Sequence, residues 1–177
     1  MNWLLLAVAV LAVAGVYLSW TAGRIDRLHA RLDAARAVLE AQLFRRSAVA
    51  LEVATSGMLD PATSLLVVDA AHRARAGGDD DDREVFESDL SKALAAAFPD
   101  PQTVTELSAQ PGAAELLGEL GAACRRVEMA RRFHNDTVAT TRSLRSRRLV
   151  RWFQLAGRAR MPDMVEMDAA PPAGLVP

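Results

Sequence analysis

The side chains best able to do chemistry sit in one run, Arg131-Arg132-Phe133-His134-Asn135-Asp136, where an imidazole is flanked by guanidinium, amide and carboxylate groups. A helical histidine in that company has two readings, a phosphoacceptor in signalling and, the favoured one, a surface or helix-packing residue. Phosphate must come from somewhere, however, and no Gly-rich phosphate loop is present to supply it. His29 and His72 lie beside arginines on expected solvent faces. Four adjacent aspartates at 79–82 follow Gly77-Gly78 but lack the alternating ligands and closing Glu of a calcium loop. Acids there favour the start of the following helix, and a solvated loop is the expectation. The single cysteine, Cys124, excludes an intramolecular disulfide, and its neighbours Ala122, Ala123 and Val127 mark it as a small core residue. No Cys or His pair has ligand spacing, and no nucleophile elbow occurs. The sequence thus gives no catalytic residue, metal, cofactor or small-molecule substrate, and the expectation is a non-enzyme.

Charge is the second source of chemistry. The net formal charge is −1, yet eleven arginines fall between Arg125 and Arg160 against only Glu128 and Asp136. Within that stretch Arg147, Arg148, Arg151, Trp152 and Phe153 combine cations with an apolar, aromatic face. That composition suits a segment lying among lipid headgroups, where each Arg near an anionic surface contributes about 1 kcal/mol. Two other readings compete. Trp152 and Phe153 would cap a helical core with the arginines solvated, or the cations would follow a nucleic-acid backbone. The absence of any recognition motif weighs against nucleic acid. Arg131, Arg132, Asn135 and Asp136 form a second candidate, a partner-binding or structural polar site.

These residues need elements to position them. Ala, Leu, Val and Arg dominate and aromatics are few, which favours helix throughout. Residues 1–23 carry no charged side chain, and a helix crossing a bilayer needs ~20 apolar residues. Trp3 near one end, with Tyr17 and Trp20 near the other, resembles the aromatic belts of membrane spans. A cleaved signal peptide would want a basic start, and none precedes Arg24. Arg24, Arg27, Arg31 and Arg36 follow the span, which places the N-terminus outside and the remainder in the cytoplasm.

Beyond the span, Ile25, Leu28, Leu32, Ala35 and Leu39 recur at steps of three and four, so one helix should run on without a break to Gly57. Asp60-Pro61 caps and opens a second helix over 61–75, with an apolar face of Leu65, Leu66, Val68, Ala71 and Ala74. A third covers 83–98 through Val85, Phe86, Leu90, Leu94 and Phe98. After a short turn at 103–110, a long helix starts near Pro111 and carries Leu116, Leu117, Leu120, Ala123, Val127, Ala130, Phe133 and Leu144. The expected fold is all-α: an anchor at 1–23, an antiparallel up-and-down bundle of about four helices at 24–157, and a disordered tail at 158–177.

The segment Ala130-Arg131-Arg132-Phe133-His134-Asn135-Asp136-Thr137-Val138 resembles the signature of the LemA family, an Ala-Arg-Arg-Phe-Tyr-Asn-Asp-x-Val pattern. Ala97-Phe98-Pro99-Asp100 is similar to that family's aromatic-Pro-Asp element. Residues 28–46, with the pair Arg45-Arg46, resemble its first soluble helix. His134 stands where the family usually has Tyr, Thr140-Thr141 where Asn is common, and Arg145-Ser146-Arg147-Arg148 replaces Phe-Pro-Ser. The resemblance implies a divergent, basic branch of a bacterial single-span family with a helical bundle, no established activity, and links in some members to membrane remodelling. The combined expectation is a cell-membrane scaffold or adaptor whose partners are the lipid bilayer and another protein. A regulatory subunit of a membrane protease or other membrane enzyme is the alternative.

Overall fold

The computed structural model describes residues 2–77, 80–147, 150, 152 and 160–176. Every regular element among them is helical: α1 (Asn2–Thr55), α2 (Pro61–Ala76), α3 (Asp80–Ala97), α4 (Pro101–Ser108), α5 (Ala113–Arg145) and a 3-10 turn at Ala173–Leu175. α1 runs through the membrane-length apolar stretch and into the amphipathic one without interruption, as the lack of any Pro before Pro61 requires. It stops at Gly57, whose φ of 83° is the left-handed conformation that glycine adopts without strain. α2 then opens on Pro61, with Asp60 Oδ1 accepting from the Ala62 and Thr63 amides at 3.0 and 3.1 Å. The same device recurs at Asp100-Pro101, where Asp100 Oδ1 takes the Thr103 amide at 2.9 Å.

The chain divides into two compact units. The first comprises Met1–Ala35 and His134–Met164. Most described side chains from Trp3 to Trp20 are exposed there, Trp3 by 74% and Leu11 by 71%, while Leu18 is half-buried. Its only apolar cluster among the described residues is small: Ile25 and Leu28 of α1 against Leu144 and Val150. Arg142 ties this unit's C-terminal part together, donating from Nε to Pro162 O and pairing with Asp163, both at 2.6 Å.

The second unit comprises Arg36–Phe133 and Val165–Pro177 and holds the dense core. Val49, Ala50, Val53 and Ala54 of α1 meet Val67, Ala70, Ala71 and Ala74 of α2, Leu90, Ala93 and Leu94 of α3, and Leu117, Leu120 and Cys124 of α5. Cys124 is buried and its thiol pKa is raised by that burial, which makes it an inert core residue. Alanine supplies much of the packing surface, so helix backbones approach closely. This explains a correction: α2 buries Val67 and Ala70, and not Leu65 and Leu66, which are 70% and 48% exposed. α3 begins at Asp80, earlier than position 83, because the aspartates suit its first turn.

A larger correction concerns the tail. Composition without helical periodicity reads as disorder, but the described residues from Val165 onward lie against the second unit. Met167, Ala169 and Leu175 are buried in its core clusters.

Candidate functional site

Of the five residues proposed to meet lipid, Arg148, Arg151 and Phe153 lie outside the described residues. Trp152 is 83% exposed, so its indole does not cap a core. Arg147 is exposed and lines a hollow of about 210 Å³ together with Tyr17, Trp20, Thr21, Arg24, Leu144 and Val150. Two cations therefore edge an aromatic and aliphatic wall. Arg24 also lies over the Trp20 ring, 5.9 Å from its centroid, a cation–π geometry. A neighbouring hollow of about 290 Å³ is lined by Trp20, Arg24, Arg27, Leu28, Arg31 and Thr140. The first turns after the apolar stretch thus present guanidinium groups beside amphipathic rings. That arrangement can take an anionic, amphiphilic group such as a phospholipid head.

The polar run on α5 resolves into local contacts. Arg132 pairs with Glu128 one turn earlier on an exposed face, an interaction worth little. Arg131 is half-buried, and its Nε lacks a hydrogen-bond partner. His134 is 5% exposed, its Nδ1 set 3.3 Å from Asn135 Oδ1. A phosphoacceptor nitrogen must be reachable by its donor, and this imidazole is closed in. Asp136 is exposed and Asn135 half-buried. The division between the two units falls at Phe133/His134, so Arg131 and Arg132 belong to one unit and Asn135 and Asp136 to the other.

The polar centre that sequence reasoning missed lies in the second unit. Arg46 is 1% exposed and Glu87 2%, and they form a buried ion pair at 2.6 Å. Arg46 Nη2 also donates to Glu87 O at 3.1 Å, and Nη1 to Ser91 Oγ at 2.9 Å. Burial raises the Glu87 pKa, a pull that the Arg46 charge and hydrogen bond, and then the Arg83 charge, only partly offset. The paired Arg45-Arg46 was visible in sequence. Glu87 was not, although the steps Glu87, Ser91, Leu94 and Phe98 keep it on the buried face of α3. No group of three or more His, Cys, Asp or Glu that could hold a metal ion occurs among the described residues.

Comparison with protein-family models, with curated proteins and with solved structures finds no match.

Proposed function

We propose that this chain is a membrane-tethered, non-enzymatic scaffold or adaptor of the LemA type. The observation that carries the reading is the exposure of Trp3 to Trp20. A core helix of a water-soluble protein hides its apolar side chains, whereas only 6% of this window is buried. An exposed apolar stretch of this length is costly in water at roughly 25 cal/mol per Å², and a bilayer removes that cost. Arg24 to Arg36 on the C-terminal side argue for a cytoplasmic body, with the N-terminus across the membrane. The Arg24/Arg147 hollow beside Trp20 supports contact with anionic headgroups.

An up-and-down bundle is the body we infer beyond the tether. The ladders support it: Glu40–Arg83 and Arg46–Glu87 ascend together on α1 and α3. On α5 the order reverses, since Arg45 pairs with Glu119 while Leu39 and Leu43 pack with Val127 and Ala130. Likeness of residues 130–138 to the LemA signature points the same way.

Alkaline carbonate extraction of native membranes, followed by sequencing of the N-terminus, tests the tether. Retention in the pellet with residues 1–23 intact is expected. Recovery in the soluble fraction, with those residues trimmed away, overturns it.

A further inference from the structure

Residues 165–176 of the second unit lie along α3 and α5, extended before the 3-10 turn at Ala173–Leu175, in a way that resembles a bound peptide ligand. Their burial alternates strictly at the start: Glu166 exposed, Met167 buried, Asp168 exposed, Ala169 buried, Ala170 exposed. Met167 and Ala169 insert among Leu39, Leu43, Val127 and Ala130. The backbone between them is held by α3 side chains. Glu84 Oε2 accepts from the Glu166 amide at 3.0 Å, and Ser88 Oγ accepts from the Asp168 amide at 3.0 Å. Ser91 Oγ donates to Asp168 O at 2.7 Å.

The periods explain the fit. Four residues of helix advance about 6 Å, and two residues of extended chain advance about 6.6 Å. Glu84 and Ser88, one turn apart, therefore meet amides two residues apart. Further along, the Gly174 amide donates to Phe98 O at 3.1 Å, and Arg125 Nη1 donates to Leu175 O at 3.0 Å. Contacts ascend together on the segment and α3, and descend on α5 from Ala130 to Gly121. Glycines sit where the backbones close, and a side chain there would be crowded. A Cβ on Gly174 would meet Asp100 O at 2.5 Å and Phe98 O at 2.9 Å; one on Gly121 would meet Leu175 O at 3.0 Å.

We propose that this groove is a binding site for an extended peptide, filled in cis by residues 165–176 and in trans by the same segment of a second copy. The ligand chemistry is that of the occupant: an apolar residue, an acid, a small residue, then a Pro-containing stretch ending in Gly-Leu. Every copy presents that ligand, and most of the hydrogen bonds go to its backbone. The groove and residues 165–176 belong to one chain, so cis occupancy prevails in dilute solution and exchange grows when copies are crowded. Exchange links copies through a groove distant in sequence from the apolar stretch. Its test needs no vesicle, so failure here leaves the tethering proposal standing.

Complementation between two full-length variants tests it in detergent. Gly121→Leu obstructs the groove, its new side chain directed at Leu175 and the flexible Arg125. Gly174→Val spoils the segment and leaves the groove intact. Each alone should be monomeric, and an equimolar mixture should give a 1:1 heterodimer by native mass spectrometry. A dye-labelled peptide of residues 163–177 should bind the Gly174→Val protein at least tenfold more tightly than wild type, and the Gly121→Leu protein not at all. Met167→Asp, which alters only the segment, repeats the Gly174→Val arm should that variant fold poorly. Loss of hydrogen-exchange protection in residues 165–176, with no peptide binding to that protein, overturns the groove. Peptide binding without heterodimers overturns the second copy as its occupant.

Discussion

Leu11 and Leu120 are the same side chain in the first part of long helices, yet Leu11 is 71% exposed and Leu120 fully buried. Among its described residues, the first unit leaves a long apolar stretch uncovered and gathers Ile25, Leu28, Leu144 and Val150 into a small cluster. The second covers nearly all of its core positions, and even encloses an arginine and a glutamate. α1 contributes to both, so helix propensity does not set the difference. What changes along α1 is pattern. Leu4 to Leu18 is apolar on all sides, whereas Leu39, Leu43, Ala50 and Ala54 form one stripe, shared with the buried, ion-paired Arg46. A stripe is satisfied by neighbouring helices; an all-round apolar helix needs an apolar solvent or a larger protein core. Under the proposed tether, the two units answer to different solvents.

If the second unit alone is a dry protein interior, charge removal there should have the largest effect. Arg46→Met leaves the Glu87 carboxylate buried without its partner, and a loss of about 3–5 kcal/mol is expected in urea titrations. Replacing exposed Arg36, whose partner Glu40 sits one turn on, should change stability by less than about 0.5 kcal/mol. The deficit carries a pH signature. Removing Arg46 takes away the largest influences that lower the Glu87 pKa, so the folded value rises further above the ordinary 4.5. The folded state then holds the proton more tightly than the unfolded state. Stability increases as pH falls through the raised folded value and stops increasing near the unfolded one. The Arg46→Met deficit should shrink between neutral pH and about pH 4.5, while that of Glu87→Leu, which strands an arginine unable to lose its charge, should not.

Paired leucine substitutions test the difference in solvent directly. Leu120→Ala opens a cavity in a filled core and should cost about 2–5 kcal/mol. Leu11→Ala has no protein neighbours to lose and should leave chemical unfolding of the second unit unchanged. Leu11→Arg should also leave it unchanged, while weakening membrane insertion by about 3 kcal/mol, read as protein lost from the carbonate-resistant pellet. Equal unfolding losses for Leu11→Ala and Leu120→Ala would erase the distinction drawn here.

Much of this was written in local pattern. The two Asp-Pro pairs mark the starts of α2 and α4, and Gly57 marks the end of α1, because each satisfies a backbone need independent of tertiary context. Faces were harder. On α2 the large Leu65 and Leu66 point outward while Ala70, Ala71 and Ala74 pack, since close approach of helices favours small side chains over the most hydrophobic ones. Residues 166–170 alternate between exposed and buried, the period of an extended segment with one buried side. The run is short, and the prolines that follow it hid the period in sequence. Glu87 was illegible because nothing in spacing separates a buried carboxylate from a solvated one until Arg46 is brought to it. The hollow at Trp20 and Arg24 joins residues from α1 with Leu144 and Arg147, a pairing that only the fold provides.

A smaller loss than those of Arg46→Met and Leu120→Ala concerns α2, which belongs wholly to the second unit and so isolates local from tertiary stabilisation. Asp60→Ala removes the acceptor from the Ala62 and Thr63 amides and should lower the thermal midpoint by a few degrees at neutral pH. Hydrogen bonds from the Thr63 side chain and backbone hold the Asp60 pKa below its ordinary 3.8. The contribution is therefore present above that value and lost as pH falls through the lowered folded one. Wild type and Asp60→Ala should converge at strongly acid pH, opposite in sign to the Glu87 effect. Two carboxylates in one unit thus report different things: Asp60 a helix end open to water, Glu87 an interior closed to it. A thermal midpoint for Asp60→Ala that stayed below wild type by the same margin at every pH would mean that Asp60 acts through packing, with its charge irrelevant.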